Sequence, residues 1–101
     1  MTEEQKEKCH KIADHYGENH QMLKAVEEMA ELTQVITKTI HGDTLHEWDY
    51  PGELADVLIM VEQLRYMYDK SDVVFDGRVE RFIDAKLSRQ LKRMEDENNG
   101  E

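Results

Sequence analysis

Apolar residues recur along this chain at intervals of three and four, and the residues that end such runs, five glycines and one proline, are few and widely spaced. That pattern leaves little room for anything but helices. Cys9, Ile12, Ala13 and Tyr16 form a first set that stops at Gly17, with Thr2 and Gln5 available as a capping box, so the spacing predicts a helix over 3–16. From about Asn19, the residues Leu23, Val26, Met29, Ala30, Thr33, Ile36 and Ile40 form a broad stripe ending at Gly42, a second and longer helix. GDTLHEWDY, residues 42–50, is polar and aromatic with turn formers at its start and reads as a loop. Pro51 suits the first turn of a third helix carrying Leu54, Val57, Leu58, Val61, Leu64 and Met67 or Tyr68. After a break at DKSDVVFDG, Val79, Phe82, Ile83, Leu87, Leu91 and Met94 mark a fourth.

These elements predict an all-α fold, an antiparallel four-helix bundle in which the second and third helices form the core pair. With 101 residues the chain suits one domain, expected over 1–94, and the acidic end 95–101 is expected to fray. A domain this small builds a modest core, so completion by a second subunit, as a homodimer or homotetramer, is expected. The lone Cys9 has no internal disulfide partner, the N-terminal residues show no apolar signal stretch, and no apolar run approaches the roughly 20 residues that span a bilayer. A cytoplasmic protein away from membranes is the expectation. The net charge of −10 argues against a nucleic-acid polymer as partner, since phosphate chains are held by surplus Lys and Arg. It leaves room for a small phosphorylated ligand carried by a divalent cation.

The pattern Glu-x-x-Asp/Glu occurs as Glu4/Glu7, Glu28/Glu31 and Glu53/Asp56, about as often as chance places it in so acidic a chain. The last two differ in their surroundings, because each lies within a strongly apolar stretch. On a helix, residues three apart share a face, so packing the second helix against the third brings four carboxylates together at the edge of the core. Their mutual repulsion would be large on the scale of a small domain's stability. A divalent cation with oxygen ligands would relieve it, and the absence of His and Cys from the cluster favours Mg2+, with Mn2+ as the alternative. The competing reading is a solvated face on which these acids pair with Lys24, Lys38 or Arg65.

The blocks around the acids carry a resemblance. QMLKAVEEMAELTQVITK is similar to a Q-x-x-K-x-x-E-E-x-x-E-L helix, GELADVLIMVEQL to an E-x-x-D-V-L-I-x-x-E-Q-L helix and AKLSRQLKRM to a K-L-x-R-x-x-x-R helix. Together, over residues 16 to 94, they resemble the all-α nucleoside triphosphate pyrophosphohydrolases of the MazG type, which include dimeric dUTPases and dCTP pyrophosphatases. The resemblance implies an enzyme that hydrolyses an NTP or dNTP between the α and β phosphates, releasing the monophosphate and pyrophosphate. It implies Glu28, Glu31, Glu53 and Asp56 as metal ligands, with Glu28 first and Glu27 second as the residue that orients or deprotonates water. Lys24, one turn before the acids, is a phosphate candidate that is equally able to pair with Glu28. Lys86 and Arg89 are phosphate candidates on the fourth helix, and Gln21 is a further ligand candidate. His20, Trp48 and Tyr50 are the aromatic candidates for holding a base.

Other constellations are absent or incomplete. Glu7 and His10 make a single E-x-x-H where a di-iron bundle needs two, and there is no H-E-x-x-H, glycine-rich phosphate loop or cysteine pair. The alternative to an enzyme is a non-catalytic helical dimerisation or regulatory module that keeps the fold without turnover.

Overall fold

In the computed structural model, residues 1–42, 49–71 and 77–100 are described; among them the chain is all-α, with four helices and no strand. The helices are α1 (Glu3–Tyr16), α2 (Glu18–Ile40), α3 (Asp49–Ser71) and α4 (Arg78–Asn99). No helix among these residues is long and apolar enough to cross a membrane. Residues 1–71 form one compact unit and residues 72–101 a second.

The capping box at the start of α1 is formed. Thr2 Oγ1 accepts from the Gln5 N–H at 3.1 Å, and Gln5 Oε1 accepts from the Thr2 N–H at 2.8 Å. Gly17 alone separates α1 from α2. Its φ of 86° and ψ of 166° belong to a region that only glycine enters without strain. Its N–H donates to the Ala13 carbonyl at 2.8 Å, while its own carbonyl accepts from Gln21 at 3.1 Å. One residue thus closes one helix and opens the next.

α3 begins at Asp49, two residues before Pro51, which still lies in the first turn where its missing N–H has no intrahelical use. The rest of the expected connecting loop, 43–48, lies outside the described residues, and Trp48 with it. α4 runs on to Asn99, five residues past the last apolar position. An ion pair from Lys92 to Asp96, at 3.5 Å and i, i+4 spacing, supports the extra turn where fraying is expected from the acidic composition.

α2 turns a different face inward from the one its hydrophobicity predicts. Its buried residues are Gln21, Ala25, Glu28 and Val35. This row lies roughly a third of a turn from the apolar stripe. Leu23 and Val26 are each 63% exposed and Ile40 is 77% exposed. On α3 the buried positions are Met60, Gln63 and Met67, while Leu54, Leu58 and Val61 of the expected stripe are exposed. The physical reason is local: α1 and α3 meet α2 along its small and polar row, which holds Ala25 and where Gln21 pairs with Gln63, and leave its outer stripe exposed. The apolar part of the core is correspondingly small, comprising Cys9, Ala13, Ala25, Val35, Met60 and Met67. α4 is strongly amphipathic yet buries no residue; Phe82, Ile83, Leu87, Leu91 and Met94 are all exposed.

A polar network ties α1 to α3 on the side away from the acids. His10 Nε2 lies 2.9 Å from Glu62 Oε2, and the His10 ring stacks on Tyr66 with centroids 4.0 Å apart. Tyr66 donates its hydroxyl to both Asp14 carboxylate oxygens, at 2.9 and 2.8 Å, and Lys70 Nζ donates to Asp14 Oδ1 at 2.9 Å. These bonds hold the Asp14 carboxyl below the usual aspartate range, Lys70 first and Tyr66 second. His10 is therefore engaged with α3, not with Glu7 of its own helix.

Gly17→Ala tests the helix junction. No atom lies within 4 Å of an added Cβ, so the cost is conformational alone. Chemical denaturation should show a loss of about 1–3 kcal/mol, and an unchanged midpoint would contradict the junction described.

Candidate metal centre

The inward row of α2 places Glu28 against α3, where Glu53 and Asp56, one helical turn apart, face it. One carboxylate oxygen from each of Glu28, Glu53 and Asp56 can be chosen such that all lie within 4.8 Å of one another. Glu28 is buried, at 8% exposure. Its Oε1 accepts from Lys24 Nζ at 3.2 Å, whereas its Oε2 and the Oε2 of Glu53 are buried without a hydrogen-bond partner among the described residues. A buried carboxylate oxygen with no donor is costly unless something else coordinates it.

Glu31 is the fourth expected ligand. It falls outside this group of three but stays close enough to act on Glu53. The Glu53 carboxyl is pushed above the ordinary glutamate value by desolvation first, then by the charges of Glu31, Asp56 and Glu28 and a hydrogen bond with Glu31. Lys24 is pushed upward as an ammonium by its hydrogen bond to Glu28 and that residue's charge, with lesser help from Glu27 and Glu31. The lysine is thus drawn onto the acids, which realises one part of the surface ion-pair alternative. Lys24 occupies only one of the two Glu28 oxygens and leaves Glu53 unmatched.

Beside the carboxylates, α1, α2 and α3 enclose a cleft of about 520 Å³. Six of the residues singled out in the sequence line it: His20, Gln21, Lys24, Glu27, Glu28 and Asp56. Their common wall follows from helical geometry, since 20, 21, 24, 27 and 28 recur at three and four. Lys86 and Arg89 stand on α4, in the second unit, three residues apart and exposed. Tyr50 is in the first turn of α3 and does not line this cleft.

Sequence reasoning assigned Tyr16 to a helix core and gave Gln63 no role of its own, yet both line the cleft. Tyr16 is exposed and stacks on His20, centroids 4.7 Å apart with 14° between the rings. The signal for Tyr16 was its place immediately before Gly17. A one-residue junction brings the last turn of α1 beside the first turn of α2, and so Tyr16 beside His20. Gln63 was visible only as a polar residue at a core position, i, i+3 from Met60.

The donor set is oxygen only, which suits a hard cation. Around Mg2+, bonds of roughly 2.0–2.1 Å put adjacent oxygens about 3 Å apart and opposed ones about 4.2 Å, so the three carboxylates would draw together to share one ion. The Oε2 atoms of Glu28 and Glu53 are filled by no donor among the described residues. No family model, curated protein or solved structure matches the chain.

The electrostatics carry a sign that can be checked. A carboxyl whose folded value is raised favours folding while protonated and loses that advantage as pH rises through the folded value. In chelator, the melting temperature of wild type relative to Glu53→Gln should therefore fall as pH rises from the ordinary glutamate value of 4.5 towards neutrality. At pH 7 without metal, Glu53→Gln should melt higher than wild type; an equal or lower melting temperature would contradict the repulsion.

Proposed function

We propose that this chain is a Mg2+-dependent nucleoside triphosphate pyrophosphohydrolase of the MazG type, cleaving an NTP or dNTP between the α and β phosphates to the monophosphate and pyrophosphate. The observation that carries the reading is the pair of buried oxygens on Glu28 and Glu53, without a partner among the described residues and within reach of Asp56; Glu28 and Asp56 also line the cleft with Lys24, Gln21 and His20. Glu28, Glu53 and Asp56 would hold the cation, with Glu31 beside Glu53 completing the acidic set. Bound there, Mg2+ would screen the triphosphate and lower the pKa of a water molecule to give a nucleophile near neutral pH; Mn2+ offers the same chemistry.

The chain's own residues divide the remaining work. Glu27 lines the cleft without belonging to the buried group, which suits it to orient or deprotonate water, while Glu28 is committed to the cation. Lys24 shares its charge with Glu28 in this structure, so a cation on Glu28 competes for that carboxylate and frees the ammonium for a phosphate oxygen. Lys86 and Arg89 of α4 are proposed as phosphate-binding residues on the sequence resemblance alone. The Tyr16 and His20 rings offer a face for the base.

A second copy of the chain is proposed to cover the outer stripe of α2, because Leu23, Val26, Ile36 and Ile40 form a continuous exposed apolar face. The same stripe is what favours the second reading, a dimerisation module without turnover. Pyrophosphate release from each common NTP and dNTP with millimolar Mg2+ separates the two. Turnover should appear with at least one substrate. Glu28→Gln should abolish it together with metal binding, and Glu27→Gln should lower kcat on the order of 10²-fold while metal binding survives. No turnover with any of them would favour the module.

A further inference from the structure

Gln63 sits on the inner face of α3 between Met60 and Met67 and is 1% exposed. A side chain of that size at that place packs as well if it is methionine, and its neighbours are. What distinguishes the amide is a directional hydrogen-bond chain. Gln21, itself 3% exposed, donates from Nε2 to Gln63 Oε1 at 2.6 Å. Gln21 Oε1 in turn accepts from His20 Nδ1 at 2.6 Å. His20 then emerges into the cleft, stacked on Tyr16. Chains of this kind fix orientation, because each amide that donates at one end must accept at the other.

A neutral imidazole that carries its proton on Nδ1 has a lone pair on Nε2. His20 Nε2 makes no hydrogen bond to any described residue. We propose that Gln63 is a positioning residue which, through Gln21, holds His20 in the Nδ1–H form and so presents Nε2 in the cleft as an acceptor for an N–H or O–H group of the bound ligand. That the ligand is a nucleotide rests on the function proposed above; the relay itself does not. Phosphates near neutral pH offer few protons to donate, so the complementary group is an N–H of a base or a hydroxyl of the sugar.

Two-bond ¹H–¹⁵N correlation of the histidine rings, on the full chain at a pH where His20 is neutral, reads the tautomer directly. The relay predicts the Nδ1–H pattern for His20 in wild type and a return towards the mixed pattern of a free histidine in Gln63→Met. An Nε2–H pattern in wild type overturns it, and needs no variant to be seen. In turnover, Gln63→Met should raise KM about tenfold, as for one lost ligand hydrogen bond, with kcat changed less than about twofold. His20→Phe, which keeps a ring against Tyr16 and removes the acceptor, should do the same. Comparing CTP with UTP and CTP with dCTP identifies the donor. Collapse of the first preference in His20→Phe assigns the base, collapse of the second assigns the 2′-hydroxyl, a raised KM with both preferences kept assigns a group common to all three, and a His20→Phe KM equal to that of wild type for every substrate overturns the acceptor role. Absence of turnover in wild type overturns the proposed reaction and not the relay, which the ring spectrum tests by itself.

Discussion

Carboxylates facing one another across the seam of two packed helices set the terms for the rest of the molecule. One carboxylate oxygen each from Glu28 on α2 and Glu53 and Asp56 on α3 lie within 4.8 Å of one another, and the Oε2 atoms of Glu28 and Glu53 are buried without a donor among the described residues. Helix packing driven by apolar area alone would turn these residues outward. The chain instead buries a row that contains Gln21, Ala25 and Glu28, and tolerates both the desolvation and the repulsion that, in that order, raise the Glu53 carboxyl above its ordinary value. Lys24 answers part of that repulsion from one turn away. The remainder is a demand for positive charge of the kind that a divalent cation would supply.

Once α2 is rotated to present its acids to α3, its apolar stripe is left outside. Leu23, Val26, Ile36 and Ile40 are exposed for the same geometric reason that Glu28 is buried, since a helix cannot turn both faces to one neighbour. The small apolar core of α1, α2 and α3 is supplemented by polar ties. On one side of α3, His10, Glu62, Tyr66, Asp14 and Lys70 fasten α1; on the other, Gln63 and Gln21 join α3 to α2. Hydrogen bonds of this kind add modest stability but specify geometry closely. That suits a wall of a cleft better than loose apolar contact does.

Much of this was legible in the sequence. The helix limits followed from Gly17, Gly42 and Pro51, because backbone constraints at these residues act locally. The acid pairs stood out by their apolar surroundings, and Gln21 and Glu27 by the resemblance; that they share one wall with His20 and Lys24 follows from the period of the helix. Which face of α2 turns inward was not legible, because hydrophobicity reports what ought to be covered and not what covers it; the stripe that looked like core faces away from α1 and α3. Tyr16 was missed because its position depends on a junction of a single residue, and Gln63 because a polar residue at a core position has no meaning until its partner is known. The extension of α4 to Asn99 escaped a pattern based on apolar spacing, since charge pairing carries the last turn.

The central claim is that the carboxylates at the α2 and α3 seam form one divalent-cation site. Titration of the full chain with Mn2+, followed by electron paramagnetic resonance, reads bound and free ion separately. Saturable binding that Mg2+ displaces, and that is lost when Glu28 and Glu53 are both replaced by Gln, is the predicted result. Binding that does not saturate, or that survives the double replacement undiminished, would contradict it.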